Sequence, residues 1–344
     1  MKKWLKGAMH VHTNNSDGGS DPQFVLETYR NCGYDFIVWT DHCVNWNLDE
    51  YIKDRKDVVC IGGVEVSVNM GKKVNDPEEG VIDYFLKNDL GAYSIPHINA
   101  LGVYGTDITF DAYSGDVSKT LENMIDAVNA ENGIPMINHP NWLLGMSYWE
   151  LLKVNRKFLM EIGNCWDCCI GGNFARESME TQWDILLSKG MSVYGTATDD
   201  AHLYAPENIE AGTEHFNKGY VCVYAEKNEE SILNALRHGD FYASNGVDIE
   251  EYTVDNKKMY VRIKPTGDEK YIINFKGRMG MPLKSVYGTE AEYEFTGSPD
   301  EEYVRCKIVS NAQTQSKVNY HESNCYYKAC YTQPYFPKGK QFVI

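Results

Sequence analysis

The sequence predicts an α/β protein: a barrel of parallel strands and helices, followed by a small all-β region. Over about the first two-thirds of the 344 residues, apolar runs typical of buried strands alternate with amphipathic stretches typical of helices. Nearly every apolar run is followed directly by His, Asp or Glu. Because the carboxyl ends of barrel strands gather at one mouth, this pattern predicts a ring of candidate ligands there.

The opening motif holds two histidines on an extended segment. His10 and His12 alternate, so both imidazoles leave the same face of a strand. Asp17 follows after a short polar turn. Two imidazoles and a carboxylate suit a divalent transition metal such as Zn or Mn. Two histidines alone are more often surface or core residues, so it is the rest of the chain that favours a metal site.

The following elements are predicted in order. A first helix begins with Asp21 as N-cap and Pro22 at its first position, and ends near Asn31. Buried strands are predicted over 36–40, 58–64, 94–96, 134–138, 158–160 and 192–197, with a helix over 121–131. In chain order, these strands lead to Asp41-His42, Glu65, His97, His139, Glu161 and the segment from Asp199 to His202.

Two domains are predicted, 1–247 and 248–344. A strand over 219–225 and a helix over 229–238 complete the first domain. Beyond Gly246 the runs are short, several alternate polar with apolar residues, and Asp255-Asn256 is a hairpin signal. The second domain is therefore predicted to be a small β-sandwich.

Composition excludes several classes of function. The net charge of −16 argues against a nucleic-acid backbone as partner. No stretch is apolar enough to span a bilayer, and the basic start lacks the apolar core of a signal peptide, so a cytoplasmic location is expected. The ten cysteines are expected to be reduced, and Cys165 to Cys169, which contain a CxxC, to be idle thiols. The oligomeric state is left open.

Taken together, these motifs resemble those of the PHP (polymerase and histidinol phosphatase) family. They are His10-x-His12-Thr13-x-x-Ser16-Asp17-Gly18, Thr40-Asp41-His42, Gly63-Val64-Glu65, His97, Asn138-His139-Pro140 and Asp200-Ala201-His202. The resemblance covers roughly 8–247 and implies a distorted (β/α)7 barrel. The stretches 235–246 and 329–334 resemble the branch with a C-terminal β-sandwich. Some members of that branch hydrolyse carbamates or carboxylic esters, and related PHP enzymes hydrolyse phosphate esters.

The resemblance implies a trinuclear metal centre of two to three Mn, Zn or Fe ions. It assigns His10, His12, Glu65 and Asp200 to the first metal. Glu65 would bridge to a second, completed by His97 and His139, and Asp17, His42 and His202 would hold a third. Every position has the required residue type. His215, His238 and His321 are left as bystanders. Mixed His and carboxylate sites accept all three metals.

A bridging water between two such ions would become hydroxide near neutral pH and could attack phosphorus or a carbonyl carbon. Glu65, Asp17 and His202 are the expected catalytic residues. The leading hypothesis is a phosphoesterase acting on a small, anionic phosphate mono- or diester. The alternatives are a carbamate or carboxylic ester hydrolase with the same centre, and a noncatalytic metal-binding or docking module.

Other residues are weaker candidates. Substrate binding is considered for Glu161, Arg237, Lys218 and Trp142, of which Arg237 could grip an anion bidentately or simply be a solvated helix residue. Asp41 and Asp199 are each next to a predicted ligand. Two interpretations have equal weight: they orient the histidines, or they are solvated turn residues.

Overall fold

The protein is represented here by a computed structural model. The structure describes residues 1–44, 46–52, 55, 57–67, 96–104, 114, 116–142, 146–164, 177–211, 215–314, 327–339 and 341–344. His321 and the segment from Cys165 to Cys169 lie outside the described residues.

Strands and helices alternate in the first part of the chain, and strands dominate the last part. The strands are β1 (Lys3–Ala8), β2 (Phe36–Val38), β3 (Val59–Ile61), β4 (Gly63–Ser67), β5 (His97–Leu101), β6 (Ile134–Ile137), β7 (Phe158–Asn164), β8 (Val193–Thr198), β9 (Tyr220–Ala225), β10 (Phe241–Ser244), β11 (Asp248–Val254), β12 (Lys258–Lys264), β13 (Tyr271–Lys276), β14 (Pro282–Tyr287), β15 (Glu290–Glu294), β16 (Arg305–Gln313) and β17 (Tyr327–Thr332). The α-helices are α1 (Pro22–Asn31), α2 (Leu48–Tyr51), α3 (Val117–Ala130), α4 (Tyr148–Leu151), α5 (Met179–Ser188), α6 (Pro206–Ala211) and α7 (Glu229–His238). A 3₁₀ turn covers Arg278–Gly280.

Capping residues define several helix ends. As predicted, the Asp21 carboxylate accepts hydrogen bonds from the backbone N–H groups of Gln23 and Phe24, with Pro22 at the first position of α1. Helix α7 begins at the Asn228 side chain and ends at Gly239, whose φ of 74° is the left-handed conformation that favours glycine.

The chain changes sheets at Gly62. One sheet has the strand order β14-β13-β16-β17-β10-β9-β1-β2-β3, and the other β4-β5-β6-β7-β8. The predicted single strand over 58–64 is therefore two strands, β3 and β4, in different sheets. A Cβ at Gly62 would lie 2.9 Å from the carbonyl oxygen of Val103, so only glycine fits this close approach.

Strand direction also differs from the prediction at one place. Strand β5 runs antiparallel to both β4 and β6, whereas β6, β7 and β8 are parallel as expected. His97 is therefore the first residue of β5, and residues 94 and 95 of the strand predicted before it lie outside the described residues. Because β5 is reversed, its first residue lies at the same edge of the sheet as the last residues of β6, β7 and β8.

The two sheets meet at that edge. Single parallel bridges join Val11 to Ala201 and His42 to Glu65. The α/β class is confirmed, but among the described residues the strands form two sheets and a smaller one, with no continuous pairing around a closed barrel.

The last hundred residues or so form a layered β structure. The third sheet, β11-β12-β15, packs against β13 and β16 of the nine-stranded sheet, and residues such as Met259, Val261, Phe275 and Ile308 share one buried cluster. Strand β17 also pairs with β10, so the nine-stranded sheet continues across residue 247.

Two further predictions concern membranes and thiols. Within the described parts of the chain, no helix has the length and apolar character needed to cross a bilayer. The described cysteines are free thiols: Cys32, Cys43, Cys60, Cys222, Cys306 and Cys330.

Candidate metal centre

His10 and His12 lie on the extended segment after β1, and both rings are buried. The Nε2 atom of His10 is 3.0 Å from Glu65 Oε2 and 3.2 Å from Asp200 Oδ1. The Nε2 atom of His12 is 3.1 Å and 3.2 Å from the same two oxygens. Two imidazoles and two carboxylates thus converge on one point, as the alternation of the two histidines predicts.

Glu65 faces a second pair of histidines with its other oxygen. Its Oε1 atom lies 2.9 Å from His97 Nδ1 and 3.4 Å from His139 Nε2. The Asn138 side-chain amide donates a hydrogen bond of 2.8 Å to the same oxygen. One carboxylate therefore connects two groups of candidate ligands.

A third group forms the open side of the cluster. Asp17 Oδ1 is 3.4 Å from both His12 Nδ1 and His202 Nε2, and its Oδ2 is 3.6 Å from His42 Nε2. The side chains of Asp17, His42 and His202 are 55%, 30% and 14% exposed. His12 belongs to this group as well as to the first, which the sequence did not indicate.

The structure therefore brings all nine predicted ligand positions together. They fall into three overlapping groups, and within each group one ligand atom per residue lies within 4.8 Å of the others. The groups are His10, His12, Glu65 and Asp200; Glu65, His97 and His139; and His12, Asp17, His42 and His202.

The histidines and carboxylates of the three groups shift one another's pKa values strongly. Burial by itself lowers the pKa of His12, but the carboxylates of Asp200 and Glu65 outweigh it and raise the pKa to about 9. Burial opposes ionisation of Glu65, yet His10 and His97 hold its pKa well below the usual range. The pKa of Asp17 is also lowered, because His202, His12 and His42 outweigh its partial burial. Without a metal, protonated histidines would therefore balance the carboxylates.

His12 provides the test of whether the residues fit a metal. Although carboxylate oxygens lie close to its ring, neither His12 nitrogen makes a hydrogen bond, and the side chain is fully buried. Buried polar atoms without a partner are rare and costly, so these two nitrogens call for a ligand. Imidazoles combined with carboxylates are donors that Zn, Mn and Fe accept. The cluster therefore fits divalent metal ions.

Glu161 lies behind the histidines. Its Oε1 is 2.7 Å from His10 Nδ1 and accepts the Thr198 hydroxyl at 2.7 Å. Its Oε2 accepts the backbone N–H of His139 at 2.7 Å and the Asn164 amide at 2.8 Å. Both carboxylate oxygens accept hydrogen bonds within the protein, and the residue is fully buried. Glu161 was predicted to contact a substrate, but in this position it orients the candidate metal ligands.

Two asparagines of the site were missed in the sequence. The Asn138 amide bonds Glu65 and Asn99, and the Asn164 amide bonds Glu161 and, at 3.1 Å, Asp200. Asn138 directly precedes His139 at a strand end, which was an available signal. No comparable signal marks Asn164, because β7 is irregular between Glu161 and Gly163.

Asp41 and Asp199 hold loops. Asp41 accepts the Thr13 backbone N–H at 2.7 Å and the Thr13 and Ser16 hydroxyls, so it shapes the turn that carries Asp17. Asp199 accepts the Tyr29 hydroxyl and three successive N–H groups, those of residues 217–219.

The remaining substrate candidates lie in different places. The Trp142 ring centroid is 5.1 Å from that of His97 and 5.3 Å from that of His139, so this ring flanks the cluster. The Lys218 backbone N–H donates to Asp199. Arg237 instead bonds the carbonyls of Asn132 and Ile344. Asn132 precedes β6, whose other end leads to His139, so Arg237 lies at the far end of the strands and its predicted substrate role disagrees with its position.

Two of the predicted bystanders lie in the described residues. Burial lowers the pKa of His215 to about 3, and its backbone N–H donates to the Leu203 carbonyl. His238 Nδ1 lies 2.8 Å from the Asn234 carbonyl oxygen one turn earlier in α7. Neither residue belongs to the three groups of candidate ligands.

Comparison with known proteins finds similar chains among solved structures. No protein-family model matches the chain, and no curated protein matches it. A two-domain protein from Bacteroides vulgatus, described as containing a PHP-like metal-dependent phosphoesterase, is 17% identical, with 95% of each chain covered and a TM-score of 0.46. A protein from Bifidobacterium adolescentis described as a metal-dependent phosphoesterase is 12% identical, with 57% of this chain and 87% of that chain covered and a TM-score of 0.36.

An amidohydrolase from Chromobacterium violaceum, with sulfate bound and no metal, is 14% identical, with 57% and 87% coverage and a TM-score of 0.36. The description of the Bacteroides vulgatus protein names the family that the motifs resemble. Because each TM-score is below 0.5, the functional interpretation rests on the residues of this chain.

Proposed function

We propose that this protein is a metal-dependent hydrolase, and that its activity is hydrolysis of a small, anionic phosphate mono- or diester. The observation that carries the proposal is the position of Glu65. Its two oxygens lie in two different groups of candidate ligands, at 3.0 Å from His10 and 2.9 Å from His97. A buried carboxylate shared in this way is suited to hold two cations side by side, as in two-metal phosphatases.

The ligand assignment follows from the three groups. His10, His12, Glu65 and Asp200 would hold one ion, Glu65, His97 and His139 a second, and Asp17, His42 and His202, with His12 nearby, a third. When bound, such Mn, Zn or Fe ions supply activation of water and stabilisation of the charge that develops on phosphoryl oxygens.

The chain's own residues set the direction of approach. Asp17, His42 and His202 are the exposed members of the cluster, so a substrate would enter from their side. His202 Nδ1 faces the Asp200 carbonyl at 2.8 Å, which leaves Nε2 towards Asp17. The low pKa of Asp17 keeps it ionised. When the third ion is absent, His202 is therefore better suited than Asp17 to give a proton to the leaving oxygen.

A carbamate or carboxylic ester hydrolase with the same centre is the second candidate. One observation favours it: the Trp142 ring beside His97 and His139 offers an apolar wall to an acyl or aryl group.

The (β/α)7 arrangement and the two domains, 1–247 and 248–344, are part of the proposal. The bridge between Val11 and Ala201 joins the segments that follow β1 and β8, and the bridge between His42 and Glu65 joins the segment that follows β2 to β4. With these bridges, β1, β2 and β4 to β8 follow one another around the candidate ligands. This order supports a barrel of seven strands.

The test compares ester classes on protein loaded with Mn, Zn or Fe. We expect turnover of p-nitrophenyl phosphate or bis(p-nitrophenyl) phosphate to exceed that of p-nitrophenyl acetate and of a p-nitrophenyl carbamate. Preference for the acetate or the carbamate would favour the second candidate. Full metal content without hydrolysis of any of these esters would favour a noncatalytic metal-binding module. His238→Ala, which alters a histidine outside the cluster, is the matched control.

A further inference from the structure

A cavity lies at the opposite end of the strands from the candidate metal ligands. It has a volume of about 580 Å³, which is in the range of small-molecule sites. Trp4 of β1 lines it, and His10 follows Trp4 by six positions, which is roughly 20 Å of extended chain. This cavity, called the distal cleft below, is lined by Trp4, Tyr224, Asp240, Glu251, Tyr252 and Tyr335 among other residues.

The distal cleft lies between the two parts of the chain. Trp4 and Tyr224 belong to neighbouring strands of the first part, and Tyr252 and Tyr335 to the last part. Clefts between domains are common places for ligands. The cleft is therefore a feature of the assembled fold, independent of the metal ligands.

Aromatic rings form its walls. The centroids of Trp4 and Tyr224 are 5.2 Å apart with their planes inclined at 58°, so the two rings present surfaces in different directions. Tyr224 is 43% exposed, although it is a large side chain on a central strand pair. Several π-faces around one space attract a cation through the negative potential of the ring faces.

Carboxylates predominate among the charged groups of the described lining, which also includes His238. Asp240, Glu250 and Glu251 line the cleft, and none of its described lining residues is Lys or Arg. Lys2 acts electrostatically on Asp240, and Arg262 pairs with Glu250 and Glu251 at 3.0 Å each. The three carboxylates therefore exceed the lysine and arginine charges around them by one. These pairs are on the solvent side, where ion pairs are weak and do not fully cancel the field. Partial burial raises the pKa of Asp240, so its ionised form would gain from a nearby cation.

We propose that the distal cleft binds a small organic cation, a protonated or quaternary amine attached to an apolar body. The aromatic walls of Trp4, Tyr224, Tyr252 and Tyr335 would accept the apolar body and the cation's methyl or methylene groups. Asp240 and the carboxylates of Glu250 and Glu251 would supply the opposite charge. An anionic substrate of the metal centre would be excluded by the same charges.

The test uses benzyltrimethylammonium as probe, with benzyl alcohol as a neutral and benzenesulfonate as an anionic analogue. In isothermal titration of the full-length, metal-loaded protein, we expect the cation to bind at least about tenfold more tightly than either analogue. Tyr224→Leu and Asp240→Asn should each weaken binding by about three- to tenfold. Metal content and ester hydrolysis should stay unchanged in both variants, because neither residue contacts the metal ligands.

Matched controls are Tyr287→Leu, at a tyrosine that is 85% exposed on β14, and Asp268→Asn, in an exposed turn. Both should bind the probe like the unchanged protein. Equal affinity for the neutral analogue would overturn the proposal, as would binding unaffected by both cleft substitutions. Loss of binding on removal of metal by a chelator would also overturn it, since the probe would then occupy the metal centre.

Discussion

The Glu161 carboxylate lies 2.7 Å from Nδ1 of His10, on the side of the ring that faces away from Glu65 and Asp200. This contact selects the tautomer that carries its proton on Nδ1 and directs the Nε2 lone pair into the cluster. The same carboxylate also bonds Thr198, Asn164 and the backbone of His139. Glu161 thereby ties together the ends of β6, β7 and β8 behind the ligands.

Glu161→Gln should weaken metal binding, because an amide holds the imidazole proton less strongly and cannot accept at both atoms. We expect metal affinity to fall by about ten- to a hundredfold. Competition with a chelator of known affinity measures the change. Glu207→Gln, at an acidic residue in the first turn of α6, is the control. A lower melting temperature with unchanged metal affinity would show that Glu161 only stabilises the fold.

Glu65→Gln should remove tightly bound metal and hydrolysis together. The substitution takes one negative charge from a position that faces five histidine rings, those of His10, His12, His42, His97 and His139. Elemental analysis of the purified variant gives the metal content. Wild-type content would contradict the bridging role.

Asp17→Asn should lower the metal stoichiometry by one and leave the other two sites filled. Asp17 is the most exposed residue of the cluster and contributes to only one of the three groups. The third ion should therefore also be the first lost on mild chelation. Anomalous diffraction from Asp17→Asn crystals decides the matter: three fully occupied ions would refute the assignment.

The stability of the metal-free protein should depend on pH through His12. Its pKa is about 9 in the folded state and 6.5 when unperturbed, so the folded state binds the proton more tightly. This contribution is fully present below pH 6.5 and is lost as the pH rises through about 9. It amounts to about 3 kcal/mol at most. Thermal unfolding of the chelated protein across this range should show a falling Tm, and the metal-loaded protein should not follow it.

Arg305 of β16 is expected to be essential for the contact between α5 and the β layers. Its fully buried guanidinium bonds Asp184 through Nε at 2.8 Å and Nη2 at 2.6 Å, and Glu180 through Nη2 at 2.7 Å. Arg305→Ala would leave the Asp184 carboxylate buried without its cation, and should destabilise the protein by about 3–5 kcal/mol. Urea unfolding measures it. Arg305→Met combined with Asp184→Leu should cost less, because no buried charge remains unpaired.

The residue types of the candidate site could be predicted from the sequence, since they depend on local rules. Alternation on an extended segment sets His10 and His12 on one face, and strand ends carry His139 and Asp200. The position of His97 was predicted at the end of a strand, and it lies at the start of one. Strand direction depends on pairing between segments far apart in the chain, which no local pattern encodes.

Tertiary structure alone decided which residues belong to more than one group of candidate ligands, and which side chains hold the ligands in position. Which oxygen of Glu65 faces which histidine, and the second contact of His12 with Asp17, depend on how the ends of two sheets meet. Glu161 was predicted to face a substrate, but it contacts His10 and the backbone of His139, and across the irregularity in β7 Asn164 donates to Glu161 and Asp200. The chain itself determines which groups can bind a metal. Long-range packing determines the distances between them, because a distance of a few ångströms across the site joins residues up to about 190 positions apart.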